Sequence, residues 1–113
     1  MTIWLHNDTS RSLTLKAAHL DTGCWLTYPT QQHVAPGERV TWTATGGNCG
    51  LDTRGYVTYT VDGTGNQSYA YFQWHYPDPI ELHWQAGAFT TLDRLPDQGG
   101  QTHFSLRCAP RCF

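Results

Sequence analysis

The side chains of this 113-residue chain that could carry chemistry are six histidines, four cysteines and nine carboxylates. His6, His19, His33, His75, His83 and His103 would suit a transition metal, but no H-x-x-x-H or H-x-H pair sets two of them on one face. They read as strand-face residues. A hydrolytic nucleophile needs Ser, His and Asp to converge. None of Ser10, Ser12, Ser68 and Ser105 stands in a G-x-S-x-G elbow, and all four fall in turns or strands. Asp52, Asp78 and Glu81 could meet as a glycosidase carboxylate pair, yet a few acids lying close in sequence are expected by chance. No glycine-rich phosphate motif opens a helix. The expectation is a non-enzyme that holds no metal and no cofactor.

Cys24, Cys49, Cys108 and Cys112 allow three disulfide pairings. A short, glycine-rich chain whose last two cysteines sit in a C-terminal tail points to two disulfides rather than four reduced thiols. Closing the loop from Cys24 to Cys49 would stabilise the fold by about 3 kcal/mol in the chain-entropy model. A C-x3-C pair without a second ligand pair is weak ground for zinc.

The aromatic side chains say more. Gly55 to Val61 runs through the turn Asp62-Gly63-Thr64-Gly65-Asn66 into Tyr69-Ala70-Tyr71-Phe72-Gln73-Trp74-His75-Tyr76-Pro77, a β-hairpin whose second strand is dense in rings. The two-residue period puts Ala70, Phe72, Trp74 and Tyr76 on one face and Tyr69, Tyr71, Gln73 and His75 on the other. Trp4, Trp25, Trp42, Phe72 and Phe104 alternate in phase with aliphatics and read as core. Tyr28, Tyr69, Tyr71, Tyr76 and Trp84 stand at strand ends or share a face with polar residues. An apolar ring with a polar tip suits a membrane interface, a sugar or a protein partner. Arg54 and Asp78 lie nearby in sequence and could contact a lipid's phosphate or amine.

These rings need strands to position them, and alternation of period two dominates the chain. The expected strands are Ile3–His6, Leu13–Ala18, Cys24–Tyr28, Arg39–Thr45, the two arms of the hairpin, Ile80–Trp84 and Thr102–Cys108. Residues 85–101 read as a loop, although Leu82, Ala86, Phe89 and Leu92 could also form a short helix. Seven to nine mainly antiparallel strands with turns every 8–12 residues point to an all-β sandwich, one domain over residues 1–113.

Composition narrows the partners. Aromatics make up 13% of the chain and charged residues 14%, against about 25% charged in ordinary soluble domains. One lysine, Lys16, and six arginines give a net charge of −2. No basic cluster exists for nucleic acid or for anionic lipid. The apolar runs are too short for a membrane-spanning helix. The start Met1-Thr2-Ile3-Trp4-Leu5-His6 has no signal-peptide pattern, so with the cysteines it reads as the mature form of a secreted protein. Asn7-Asp8-Thr9 and Asn66-Gln67-Ser68 are glycosylation sequons in predicted turns.

The order of several motifs resembles the aegerolysin and actinoporin-like superfamily, in particular small bacterial crystal proteins and fungal aegerolysins. Asn7-Asp8-Thr9 follows the first strand, then come Gly23-Cys24-Trp25 with Pro29, and Val34-Ala35-Pro36-Gly37 before the strand of Trp42. Thr53-Arg54-Gly55-Tyr56-Val57-Thr58-Tyr59 leads to Phe72-Gln73-Trp74-His75-Tyr76-Pro77. The resemblance covers roughly residues 2–90. It implies a β-sandwich that recognises a membrane lipid such as a sphingolipid, cytolytic alone or with a larger pore-forming partner. Three departures stand out: no amphipathic segment precedes the first strand, the chain is shorter than most aegerolysins, and the four cysteines are not a usual family feature. The alternative expectation from the same rings is a lectin-like glycan-binding module, or a secreted effector that binds a host protein.

Overall fold

The computed structural model describes residues 1–29, 33–46, 50–77 and 79–109, so Asp78, Cys49 and Cys112 lie outside the described residues. Nine strands form: β1 (Thr2–Asn7), β2 (Leu13–Thr22), β3 (Cys24–Thr27), β4 (Arg39–Thr45), β5 (Thr53–Val61), β6 (Tyr69–Tyr76), β7 (Glu81–Ala86), β8 (Thr90–Arg94) and β9 (Thr102–Cys108). No helix occurs among the described residues. One sheet has the order β3-β4-β1-β9-β8, the other β2-β5-β6-β7. All pairings are antiparallel except β1 with β9.

Alternation decides which side chains the two sheets turn toward each other. Ile3, Leu5, Val40, Trp42, Ala44, Phe104 and Leu106 of one sheet meet Val57, Tyr59, Val61, Ala70, Phe72 and Trp74 of the other, all buried. Phe72 sits at the centre, its ring 4.9 Å from Phe104 and 5.3 Å from Trp42, both near edge-to-face. Such ring pairs stabilise by roughly 0.5–1.5 kcal/mol beyond their area burial. The result is a sandwich-like arrangement around one core.

Turn chemistry fixes the corners. Asn7 is fully buried at the end of β1: its Nδ2 donates to the carbonyls of Arg11 and Val34 at 2.8 Å, and its Oδ1 accepts from the Thr9 amide and hydroxyl. The sequon at Asn7 is therefore a structural turn with no accessible acceptor amide. Gly23, at φ +93°, carries the chain from β2 into the other sheet, where a Cβ would lie 2.6 Å from the Thr45 carbonyl.

Several expectations are corrected. Residues 85–101 are neither loop throughout nor helix. Strand β7 runs on to Ala86, and Thr90–Arg94 forms β8, since β-branched threonines around inward-facing Leu92 pair well with β9. Strand β2 continues to Thr22, with a bulge at Lys16 that blurs its alternation. Trp4 is not core. It alternates with Ile3 and Leu5 onto the outer face, half-buried, where His103 stacks on it at 5.8 Å and the Arg39 guanidinium covers it at 4.9 Å. Trp25 is only half-buried, at the sheet edge, its ring edge-on to Trp74 at 5.9 Å.

Candidate functional site

The pairing of β5 with β6 sets Thr53 against Tyr76, and that of β6 with β7 sets His75 against Glu81. Leu51, Tyr76 and Ile80 are therefore gathered at one end of the four-stranded sheet. All three are exposed: Leu51 at 98%, Ile80 at 69% and Tyr76 at 38%. Isolated exposed aliphatics need no explanation; here three exposed apolar side chains share one end of a sheet.

Beside that end, on the outer face of the same sheet, a cleft of about 380 Å³ is lined by Arg54, Gln73, His75, Pro79, Glu81 and His83. The outward positions of β5, β6 and β7 supply Arg54, Gln73, His75, Glu81 and His83, as the period of two requires. The cleft offers both signs of charge. Arg54 forms no ion pair among the described residues, and the Glu81 carboxylate lies 3.9 Å from His83 Nε2. One wall is held rigidly: His75 Nε2 and Asp52 Oδ2 are 2.8 Å apart. Hydrogen bonds from His75 and Thr22, with Arg54 nearby, hold the Asp52 carboxyl below its ordinary range. Tyr76 and Ile80 also border a second hollow, with Met1, Leu82, Arg94 and Gln101.

The sequence-derived residues do not converge on one place. Arg54 lines the cleft and Tyr76 the neighbouring apolar end. Tyr69 and Tyr71 share a separate groove further along the outer face, toward the Asp62–Asn66 turn. Trp84 pairs with Phe72 in register and points inward, 5.1 Å from Phe104, but its edge position leaves it half-exposed with Arg94 5.9 Å over its ring. Tyr28 stands past the end of β3, edge-on to Trp25 at 5.4 Å. Asp78 lies outside the described residues.

The sequence carries no signal for Leu51 and Ile80, because exposure at loop tips has no periodic mark. It also kept apart two histidines that the parallel pairing of β1 and β9 unites. His6 Nε2 and His103 Nδ1 lie 2.9 Å apart on the outer face of the five-stranded sheet. Burial first, then His103 and Arg39, pull the His6 pKa below its ordinary value against the opposing pull of Asp8. Ser105, next to His6 in register, donates to Asp8 Oδ2 rather than to an imidazole, so it lacks the Ser–His hydrogen bond of an activated nucleophile. No group of three metal-ligating side chains is found among the described residues. Compared with known families and with curated proteins, the chain matches no family model and no curated sequence.

Proposed function

We propose that this chain is a non-enzymatic, secreted protein that binds a membrane surface through the Leu51–Tyr76–Ile80 end, in a disulfide-braced sandwich of the aegerolysin or actinoporin-like type. The observation that carries the reading is the set of exposed apolar side chains at one end of the sheet, beside a cleft lined by one glutamate and one arginine that makes no ion pair among the described residues. Burying Leu51 and Ile80 in the acyl boundary is worth about 1.5–3 kcal/mol each, and the Tyr76 ring sits well at head-group depth. That is modest beside the freedom lost on docking, so polar contacts must supply selectivity.

Arg54 and Glu81 match a zwitterionic head group: the guanidinium takes the phosphate and the carboxylate takes the ammonium. This supports a phosphocholine or phosphoethanolamine lipid, a sphingolipid among them. The motif order in the sequence favours the same class and adds a larger pore-forming partner as a route to permeabilisation. Two disulfides would brace the β3 end and the end of β9. No free thiol occurs among the described residues, and the unreduced mass should fall about four hydrogens short of the fully reduced mass.

The test is sedimentation with vesicles of neutral, anionic and sphingomyelin-containing composition. Selective binding to one zwitterionic composition is expected, lost in Leu51→Asp and Ile80→Asp and weakened in Tyr76→Ala and Arg54→Gln. Absence of binding to every vesicle, or binding indifferent to these substitutions, refutes it.

A further inference from the structure

A second recognition surface lies at the other end of β5. The register aligns Thr58 with Tyr71 and Tyr71 with Gln85, and in the next row Thr60 with Tyr69, all on the outer face of the four-stranded sheet. Together with Lys16 and Asn66 they enclose a groove of about 300 Å³, at the lower end of the range for small-ligand sites. Its floor is two threonine hydroxyls, its sides are two tyrosine rings, and its rim carries two amides and one ammonium.

Lys16 owes its position to a backbone irregularity. Leu15 pairs with Tyr59 and Ala17 with Thr58, leaving Lys16 as the extra residue of a β-bulge. Bulges re-aim side chains and recur beside functional sites. Here the bulge directs the only lysine of the chain over the groove. Lys16 makes no ion pair among the described residues, and no carboxylate lines the groove among them. The nearest acid along the sheet end, Asp62, is engaged by the Thr14 hydroxyl at 2.6 Å and by His33 at 3.9 Å.

The rings are pre-set. Tyr71 is stacked against Tyr56 at 6.2 Å, and its hydroxyl donates to Gln73 Oε1 at 3.3 Å. The Tyr69 hydroxyl accepts from Gln85 Nε2 at 3.2 Å. A flat apolar ring face beside hydroxyls and amides is the chemistry that holds a pyranose, whose C–H face stacks while its hydroxyls exchange hydrogen bonds. A single uncompensated cation adds a demand for one negative charge on the ligand.

We propose that this groove binds an acidic sugar, a pyranose bearing a carboxylate, with the carboxylate on Lys16 and the ring face on Tyr71. The site is independent of the membrane-facing end, since it lies at the opposite end of β5 and shares no residue with it.

Titration of the full chain by NMR with methyl β-glucuronide, the methyl glycoside of N-acetylneuraminic acid and neutral methyl β-glucoside tests it. At least one carboxylated glycoside should saturate and bind about tenfold or more tighter than the glucoside, as expected for one charge-assisted hydrogen bond. Lys16→Gln should remove that selectivity and Tyr71→Ala the binding, whereas Tyr71→Phe retains it. Vesicle binding should be the same for Lys16→Gln as for wild type, which separates this site from the membrane reading. Failure of both acids to saturate, equal binding of the glucoside, or unchanged binding by Lys16→Gln or Tyr71→Ala overturns the proposal.

Discussion

His75 Nε2 lies 2.8 Å from Asp52 Oδ2, a contact that ties the loop leading into β5 to the end of strand β6. It fixes the walls between which Arg54 and Glu81 face the cleft, and it makes that end of the molecule sensitive to acid.

Stability should fall as the medium is acidified, in two stages. The folded-state pKa of His6 lies below its ordinary 6.5, so the unfolded chain binds the proton first. The contribution of neutral His6 is complete above that value and is lost as pH falls from it toward the depressed one. The Asp52 pKa lies below its ordinary 3.8; its contribution is present above 3.8 and is lost as pH falls through the lower folded-state value. Urea midpoints measured from about pH 7.5 to about pH 3 should decline across both windows. In His6→Gln the upper decline should flatten. A midpoint that does not change between pH 7.5 and 5 contradicts the assignment.

Vesicle binding should depend little on salt. The chain carries a net charge of −2 and no basic cluster, so the proposed docking would rest on apolar side chains and a short-range head-group contact that screening barely reaches. Sedimentation at roughly 0.05 and 0.5 M salt should give the same bound fraction. A steep loss at the higher concentration would mark a polybasic mode instead.

Phe72→Ala should destabilise the fold by about 3–5 kcal/mol. The ring is fully buried between Phe104 and Trp42, so its removal leaves a cavity between the sheets. Since domains of this size are stable by about 5–15 kcal/mol, the variant should be marginal at 37 °C. A urea midpoint close to wild type would show that the sheets collapse onto the gap.

At Gly23 the sheet-to-sheet crossing leaves no room for a side chain. Its φ of +93° and the Thr45 carbonyl only 2.6 Å from where a Cβ would lie predict that Gly23→Ala costs roughly 1–3 kcal/mol. Thermal unfolding of the variant checks this, and a melting temperature equal to wild type would rule the strain out.

What the sequence makes legible follows from how local the signal is. The hairpin of β5 and β6 is plain because both arms and their turn are adjacent, and its alternation correctly separates Phe72 and Trp74 from Tyr69 and Tyr71. Strand β8 is hidden, because Thr90–Arg94 contains one buried apolar residue, Leu92, and owes its conformation to β9. Trp4 misleads for a related reason: the Ile3-Trp4-Leu5 run is apolar throughout, and the face it presents is set by β4 and β9. The meeting of His6 with His103, and the placing of Leu51 and Ile80 at one end of a sheet, depend on pairings between separate segments. The bulge that aims Lys16 appears in the sequence only as an imperfect alternation.

The parallel pairing of β1 with β9 has a consequence for how the chain reaches this state. Strand β1 sits between β4 and β9, and Ile3 waits for Thr102 before its second edge is filled. Closing so long a loop is slow, so the five-stranded sheet is completed late, whether on the ribosome or during refolding. Until then β1 offers an open edge flanked by buried Ile3 and Leu5, a template for another chain caught at the same stage. Recovery from denaturant is therefore governed by concentration as much as by stability, with dilute refolding giving the higher yield.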